Sequence, residues 1–416
     1  MRKKYWFYID PYVHIFLKND SLLLYNSYTG KVLEYKGNSD IIKLAKRLLA
    51  PRNLQVILLT GTDLEQSAIG GFVSDIRENF MGDLIDVAYS NGKPITMTPL
   101  VKNQMDVKFL KREKDRSVGE DIISYLTEIS LYINDNCNQG CSICRKAYKQ
   151  FLCCTSKGNG ESELKMVHIN RLFSEIKHSN LSRVNILGGD FFAYNDLNGL
   201  ISILRALDCE KDYYLHYLNL LLHKNKLKHI AGRDSLLTII VNFPLNEEKL
   251  HEALIAMKLL EVQERVMFII HSKRDFESSE SMVMKYGIEN ASYIPYFNGN
   301  NWPFFEENLF ITREEFYNDR VSSKEIYSRS FVNPLNFGSL LVFPGGQVYA
   351  NVNDPLLGNI GRDSIYNLLS KELIGGKSWR RIRKNVKPCK SCVFSNLCPP
   401  ISNYNIITKR YNFCKE

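Results

Sequence analysis

Three cysteines, Cys137, Cys141 and Cys144, lie in the segment "CNQGCSIC", directly after the apolar run "EISLYIND". Disulfides, zinc and an iron–sulfur cluster are the candidate explanations. A short loop of this kind can bend three thiolates round one corner of a cubane cluster and leave one iron without a protein ligand. Zinc prefers a fourth protein ligand, and none lies at short spacing. The nearest candidates for that fourth ligand are His168 and the pair Cys153–Cys154.

The composition favours metal ligation over disulfides for these cysteines. The chain has 416 residues, ten cysteines and a formal net charge of +9. Its start, "MRKKYWFYIDPYVHIF", has no clean apolar core or cleavage site of a signal peptide. No run approaches the roughly 18 apolar residues of a membrane span. We therefore expect a cytoplasmic protein with reduced thiols and no membrane partner. The diffuse charge is a mild indication of an acidic partner, and no nucleic-acid signature accompanies it.

A second group of cysteines, Cys389, Cys392, Cys398 and Cys414, lies in the last 28 residues of the chain. The group begins with a CxxC and spreads over a short, loop-like tail, which is a strong metal signal in a reducing compartment. A structural zinc site and an iron–sulfur cluster both fit this spacing. The remaining cysteines, Cys153, Cys154 and Cys209, receive no role, since small apolar filler is the commoner use of buried cysteine.

The elements that must position the first three cysteines form a repeating pattern of strands and helices. Apolar, β-branched runs alternate with amphipathic stretches and predict an α/β fold with a parallel sheet or partial barrel. In such folds the reactive groups lie on loops after the carboxyl ends of the strands. The predicted strands cover residues 128–133, 183–187, 213–220, 236–243, 265–271 and 292–297. Predicted helices between them include residues 168–178, 196–207 and 247–260.

The two ends of the chain depart from this rhythm. Near the start, short runs at residues 5–9, 12–17, 21–25 and 31–35 predict strands, and residues 39–49 and 63–80 predict helices. Near the end, "FPGGQVYAN" predicts a hairpin turning at residues 344–346, followed by a helix at 364–372. The domain prediction is 1–95 for an N-terminal α+β unit, 96–125 for a linker, 126–310 for the partial barrel and 311–416 for the cysteine-rich extension.

The first cysteine motif resembles the CxxxCxΦC signature of the radical S-adenosylmethionine (SAM) superfamily. Ile143 stands where that family has an apolar residue packing on adenine. The segment "NILGGD" is similar to the family's GGE-like turn, whose backbone receives the methionyl amine. Gly188 and Gly189 match this turn, and Asp190 replaces its glutamate. Asn242, at the end of the fourth predicted strand, stands where the family has a ribose contact.

This resemblance implies a partial (β/α)6 barrel, SAM as a cofactor and a [4Fe–4S] cluster with one open iron. The implied ligands of that cluster are Cys137, Cys141 and Cys144. In the family, one electron from the reduced cluster cleaves SAM and gives a 5′-deoxyadenosyl radical, which takes a hydrogen atom from a substrate carbon. The implied reductant is a protein of flavodoxin or ferredoxin type.

The tail resembles the SPASM extension of radical SAM enzymes, which holds two auxiliary clusters. Asn351 and Ser402 stand at two positions where that family has cysteines. The four remaining cysteines match the ligand set of one cluster. The resemblance therefore implies one auxiliary [4Fe–4S] cluster bound by Cys389, Cys392, Cys398 and Cys414.

The N-terminal unit resembles the winged-helix leader-recognition element of peptide-modifying enzymes, with "LLLYNSYTGKVLEY" as its hairpin. In that family the leader of a precursor peptide adds a strand to the sheet edge. The whole chain resembles the pseudo-radical-SAM/SPASM group found beside double-glycine leader peptides in Bacteroidales. A second maturase is accordingly a further candidate partner.

The implied function is a radical SAM peptide maturase that modifies a ribosomally made precursor by hydrogen-atom abstraction, guided by its leader. Two alternatives stay open. One is a non-catalytic scaffold that binds leader peptide and presents it to a partner maturase. The other is a zinc-stabilised interaction protein. The spacing names no general acid, base or hydrogen donor, so the catalytic side chains are unknown.

Overall fold

The computed structural model describes residues 3–96, 122–154, 163–258 and 263–415. Most of the predicted linker at 96–125 and the last residues of the predicted helix at 247–260 lie outside these ranges. Among the described residues, no helix is long and apolar enough to cross a membrane.

Two small antiparallel sheets form the N-terminal unit. One has the strand order β5–β1–β6 and the other the order β2–β3–β4. Their cores are continuous, because apolar side chains of both sheets pack on the helices α1 and α3. The strands are β1 (Lys4–Ile9), β2 (Val13–Lys18), β3 (Ser21–Asn26), β4 (Val32–Lys36), β5 (Val56–Thr60) and β6 (Gly82–Asp86). The helices are α1 (Ser39–Leu49), α2 (Gly61–Leu64) and α3 (Ser67–Glu78).

The prediction for this unit is confirmed for its first four strands and first helix, and wrong for the single helix at 63–80. That stretch forms two helices, since Thr60 and Asp63 make a capping box that begins α2 ahead of its expected start. The prediction also lacks the strands β5 and β6. Both pair with β1 and form with it a sheet separate from β2–β3–β4.

The centre of the molecule is a nine-stranded mixed sheet. Six parallel strands follow one another in chain order, each hydrogen-bonded to the next. These strands are β7 (Glu128–Tyr132), β8 (Arg183–Leu187), β9 (Glu210–His216), β10 (Ser235–Asn242), β11 (Gln263–Ile270) and β12 (Ala291–Pro295). The helices of this region are α4 (Cys144–Ala147), α5 (Met166–Glu175), α6 (Leu197–Arg205), α7 (Tyr217–Leu222), α8 (Glu247–Lys258) and α9 (Lys273–Tyr286).

The two faces of these strands have different surroundings. Side chains such as Val184 and Ile186 belong to the large core cluster that the helices cover. The opposite face carries Tyr132, Leu187 and Tyr214, which form a separate cluster on the concave side of the sheet. Burial on both faces explains the continuous apolar runs of the sequence. The side chains of this second cluster are therefore also shielded from water.

One of the six predicted strands is wrong in its second half. Residues 213–220 were expected to be extended, but β9 ends at His216 and the next six residues form α7. The His216 side chain accepts a hydrogen bond from the backbone N–H of Leu218 and so caps the helix. The apolar run "YYLHYLNLLL" alone does not reveal this change of structure.

The C-terminal part completes the sheet beside β7. The strand β13 (Ser339–Val342) pairs in parallel with β7 and turns through Gly346, at φ +82°, into β14 (Gln347–Tyr349). The predicted hairpin is therefore confirmed, and β15 (Gly358–Asn359) extends it. The helices here are α10 (Trp302–Leu309), α11 (Arg313–Asn318), α12 (Ser323–Phe331), α13 (Ile365–Gly375) and α14 (Asn403–Thr408).

The N-terminal sheet β2–β3–β4 packs directly on the C-terminal part. Leu23 and Tyr25 of β3 are buried against Val321, Ile326 and Leu397. The Tyr25 hydroxyl also accepts a hydrogen bond from the backbone N–H of Val321, at 2.6 Å. The N-terminal unit is therefore joined to the segment that carries the tail cysteines.

Candidate metal and cofactor sites

The first site lies at the carboxyl edge of the parallel strands. The cysteine loop follows β7, the turn Gly188–Gly189–Asp190 follows β8, and Asn242 is the last residue of β10. Because neighbouring parallel strands have their carboxyl ends on the same side of the sheet, three separate segments of the sequence meet there. The structure thus brings together the residues that the sequence predicts for the first site.

The cysteine loop turns back on itself between its first and last thiols. Gly140 has φ +58°, and Cys144 begins the short helix α4. A hydrogen bond from the thiol of Cys144 lowers the pKa of Cys141 to about 5, with a further contribution from His216. The same hydrogen bond and burial raise the pKa of Cys144. The Cys141 thiol therefore has the Cys144 thiol and His216 as close polar neighbours.

Cys137, the remaining thiol of the loop, has a polar neighbour that was not predicted from the sequence. The side-chain amide of Asn219 donates to Sγ of Cys137 at 3.5 Å. The Asn219 carbonyl oxygen in turn accepts from Nε2 of Gln139 at 2.5 Å. Asn219 lies on α7, and its role escaped prediction because that segment was expected to be a strand.

A histidine–asparagine pair faces Cys141. Nδ1 of His216 accepts the backbone N–H of Leu218, so in the neutral ring the proton is on Nε2. Nε2 then donates to Oδ1 of Asn242 at 2.6 Å. The same oxygen lies 3.9 Å from Sγ of Cys141. His216 therefore fixes the orientation of the Asn242 amide beside the cysteine loop.

The glycine turn packs backbone to backbone against the stem of the cysteine loop. Gly188 has φ +101° and Gly189 has φ +37°. A Cβ atom on Gly189 would overlap the carbonyl oxygen of Asn136, and one on Gly188 would overlap that of Asn134. The N–H of Asp190 donates to the Asn136 carbonyl at 2.5 Å. Only glycine fits at both positions, so the turn and the loop move as one unit.

The carboxylate of Asp190 is bound by its own chain. Oδ1 accepts the N–H of Phe192 at 3.1 Å, and Oδ2 lies 2.6 Å from Nε2 of His223. The Asp190 side chain is 10% exposed and that of His223 is 18% exposed. These contacts therefore hold both carboxylate oxygens of Asp190 within the protein. His223, the C-cap residue of α7, was not among the residues predicted from the sequence.

The floor beneath the first site is aromatic. The ring of Tyr132 stacks on that of Phe343 from the hairpin, with centroids 4.5 Å apart. Complete burial raises the pKa of Tyr132 well above its usual value. Ile143, 3% exposed, packs in the same cluster. The site therefore has a water-poor base on which an apolar ligand surface could rest.

The tail cysteines form a second site with an arginine among them. Arg383 is 8% exposed and lies 3.8 Å from Sγ of Cys389 through Nη1. Burial raises the pKa of Cys398 to about 12, and the positive charge of Arg383 opposes this rise. Cys389, Cys392 and Cys414 also act electrostatically on Cys398. Arg383 and Cys389 are therefore in contact within the cysteine-rich tail.

Arg383 was not singled out from the basic segment "KSWRRIRKNVK". Its guanidinium donates to the carbonyl oxygens of Pro399 and Tyr411, as well as contacting Cys389. Each of these partners lies beside or near a different tail cysteine. Arg383 consequently ties three segments of the tail together.

The two positions at which the SPASM-like pattern lacks cysteine are filled by amide and hydroxyl groups. Asn351, 2% exposed, donates to Oδ1 of Asn403 at 2.6 Å and to Oδ1 of Asn336 at 3.2 Å. Ser402 caps α14 in a capping box with Asn405. A cavity of about 110 Å³ adjoins Asn336, Asn351 and Asn403.

The implied clusters differ from a single-ion site in that each thiolate binds a different iron. Within residues 3–96, 122–154, 163–258 and 263–415, no three His, Cys, Asp or Glu side chains converge where one metal ion could bind. A [4Fe–4S] cluster does not require such convergence, because its ligands are distributed over separate irons. The amide donor at Cys137 suits such a ligand set.

Neither protein-family models nor curated protein sequences match this chain. Solved structures do. The fold is similar to that of SuiB. The crystal structure of Streptococcus suis SuiB bound to precursor peptide SuiA has a TM-score of 0.51 and 12% identity, covering 99% of this chain and 98% of that one. A second SuiB structure, bound to S-adenosylmethionine, has a TM-score of 0.46 and 13% identity, covering 100% of this chain and 99% of that one.

Proposed function

We propose that this protein is a leader-guided radical SAM enzyme that modifies a ribosomally made precursor peptide. The observation that carries the proposal is the meeting of three features at one sheet edge. These are the thiols of the "CNQGCSIC" loop, the Gly188–Gly189 turn packed against it, and Asn242 held 3.9 Å from Cys141. The similarity of the fold to SuiB, a protein crystallised with a precursor peptide, supports the peptide substrate class.

Cys137, Cys141 and Cys144 would hold the catalytic [4Fe–4S] cluster. When bound, cluster and SAM together supply the 5′-deoxyadenosyl radical that abstracts a hydrogen atom. The surrounding residues bind and orient SAM. The backbone of the Gly188–Gly189 turn receives the methionyl amine, and Ile143 packs on the adenine.

Asn242 would contact the ribose, and His216 holds its amide in one orientation by the 2.6 Å hydrogen bond. Tyr132 and Phe343 close the floor of the site and exclude water from the space above them. The precursor peptide is the substrate, and a flavodoxin- or ferredoxin-type protein is the proposed electron donor.

We assign one auxiliary [4Fe–4S] cluster to Cys389, Cys392, Cys398 and Cys414. The shared electrostatic environment of these thiols supports the assignment. The neutral hydrogen-bonded network of Asn336, Asn351 and Asn403 supports the absence of a second auxiliary cluster, since amides at these positions already satisfy one another. A cluster with four cysteine ligands has no open iron, so it would carry electrons or stabilise the tail.

The leader would add a strand to β4, which is an edge of the sheet β2–β3–β4. This strand is held on both faces. Tyr35 donates to Oδ2 of Asp75 on α3 at 2.6 Å and packs against the ring of Phe72. On the other face, Glu34 accepts a hydrogen bond from Arg313 at 2.8 Å. The free edge of β4 offers main-chain groups to a peptide, and the chain's positive charge favours an acidic leader.

Hydrogen exchange tests the position of the leader. Adding a precursor peptide with an acidic leader should slow amide exchange within Val32–Lys36, because new main-chain hydrogen bonds protect the edge. Val13–Lys18, at the other edge of the same sheet, should exchange at an unchanged rate. Protection of Val13–Lys18 without protection of Val32–Lys36 would place the leader elsewhere.

Anaerobic incubation of the reconstituted protein with SAM and dithionite tests the enzymatic function. We expect 5′-deoxyadenosine to form, and Cys141→Ala to abolish it, because two thiolates do not retain the cluster. Cys209→Ala is the matched control, since Cys209 precedes β9 and lies at the opposite edge of the sheet. Peptide binding without deoxyadenosine, despite a full cluster, would instead favour a non-catalytic scaffold serving a second maturase. A colourless protein with stoichiometric zinc would favour an interaction protein.

A further inference from the structure

The short helix α7, together with the residue on either side of it, contacts all three parts of the first site. Each part receives one side-chain contact: the end of β10, the cysteine loop and the residue after the glycine turn. These contacts join Asn242 with His216 at 2.6 Å, Cys137 with Asn219 at 3.5 Å, and Asp190 with His223 at 2.6 Å. The contact of Asn219 differs from the other two, because it reaches a sulfur atom that is proposed to bind iron.

Asn219 is held in place by its surroundings. It is 1% exposed, and its carbonyl oxygen accepts a hydrogen bond from Nε2 of Gln139 at 2.5 Å. The helix itself is anchored, since Leu220 is buried in the large core and the Tyr217 hydroxyl accepts the backbone N–H of Asn246 at 2.9 Å. The Asn219 amide can therefore leave the cysteine loop only by giving up buried contacts.

The direction of the hydrogen bond to Cys137 suits a sulfur that binds metal. A thiolate has no proton and can only accept, so the group that faces it has to be the NH2 of the amide, as it is in this structure. An N–H group that points at a cluster sulfur stabilises negative charge, and the reduced cluster carries one electron more than the oxidised cluster. The hydrogen bond from Asn219 therefore favours the reduced form.

We propose that Asn219 is a positioning residue for Cys137 that makes the first cluster easier to reduce. This inference rests on the proposed function, because it presupposes a cluster on Cys137, Cys141 and Cys144. The flavodoxin- or ferredoxin-type donor supplies one electron, and Asn219 exchanges neither a proton nor a covalent bond. Its contribution is the orientation of one N–H group toward one sulfur atom.

A purely structural role for Asn219 leads to a different expectation. If its amide only linked α7 to the cysteine loop, its loss would lower the free energy of unfolding and leave the reduction of the cluster unchanged. A redox measurement on variants that still contain the full cluster therefore separates the two roles.

An anaerobic redox titration followed by electron paramagnetic resonance makes this measurement. The first cluster is identified as the signal that Cys141→Ala removes. At the potential that half-reduces this cluster in the unmodified protein, Asn219→Leu should lower the ratio of reduced to oxidised cluster on the order of tenfold, which corresponds to about 59 mV for one electron. Leu222→Ala is the matched control, since Leu222 is 67% exposed on the same helix and its loss should leave the ratio unchanged.

Gln139→Ala is the second variant, to be used if Asn219→Leu does not retain the cluster. It keeps Asn219 but removes the hydrogen bond that orients the amide, so the ratio should fall in the same direction by a smaller factor. An unchanged ratio in whichever of the two variants retains the cluster overturns the inference and leaves the proposed function standing. If no signal of the unmodified protein depends on Cys141, the proposed function fails, and this inference fails with it.

Discussion

Gly189→Ala is expected to abolish SAM binding and to lower the free energy of unfolding by about 2–5 kcal/mol. The added Cβ would overlap the carbonyl oxygen of Asn136, which is a backbone atom and has no rotamer to escape through. The left-handed backbone at φ +37° adds about 1–2 kcal/mol for a residue with a side chain. Chemical denaturation would give the stability, and equilibrium dialysis with labelled SAM would give the binding.

The reason for the large effect is that the turn and the cysteine loop share their backbone contacts. Relief of the overlap requires the 134–136 segment to move away, and Cys137 moves with it. The N–H of Asp190 and the side-chain amide of Asn134 would lose their hydrogen bonds in the same movement. The change therefore disturbs both the turn proposed to bind the methionyl amine and the thiols proposed to bind the cluster.

Gly287→Ala is the matched control for this substitution. Gly287 has φ +60° at the end of α9, yet no atom lies within 4 Å of the position of its added Cβ. Gly287→Ala should lower the free energy of unfolding only by the cost of the left-handed backbone, about 1–2 kcal/mol, and should leave SAM binding unchanged. A Gly189→Ala protein that binds SAM normally would show that the turn yields easily and does not hold the cofactor.

The sequence predicts the parallel strands well because strands buried on both faces are rich in apolar residues. The run "SLLTIIVN" of β10 has five apolar residues in eight, as expected of a strand covered on both faces. The cysteine loop and the glycine turn could likewise be found from residue types and spacing. Their positions after β7 and β8 are confirmed, whereas their cofactor roles stay predictions.

The surroundings of these motifs could not be predicted in the same way. His216 and Asn219 lie in an apolar run that fits a strand or a helix equally, and the difference is made by one capping hydrogen bond. Arg383 is one of several basic residues in its segment, and burial alone distinguishes it.

Arg383→Met is expected to lower the free energy of unfolding by about 1–3 kcal/mol and to remove iron from the tail site. The substitution keeps an apolar stem but deletes the donors to the carbonyl oxygens of Pro399 and Tyr411. Pro399 is exposed and the Tyr411 carbonyl keeps the Cys389 thiol as a donor at 3.5 Å, so water and Cys389 replace part of the lost hydrogen bonding. The lost positive charge also lets the pKa values of Cys392 and Cys398 rise further, which disfavours the thiolates that bind metal.

Lys390→Met separates the hydrogen bonds of Arg383 from its charge. Lys390 adjoins Cys389 but is exposed, so this variant removes one positive charge near the thiols and leaves the carbonyl bonds of Arg383 intact. It should keep its tail iron and lose less than about 0.5 kcal/mol. Iron, zinc and sulfide analysis with denaturant unfolding of both variants makes the comparison. Equal losses of iron and stability in the two variants would mean that Arg383 acts on the tail through net charge. A loss confined to Arg383→Met means that the hydrogen bonds donated by Arg383, which join the segments of Cys389, Cys398 and Cys414, assemble the second site.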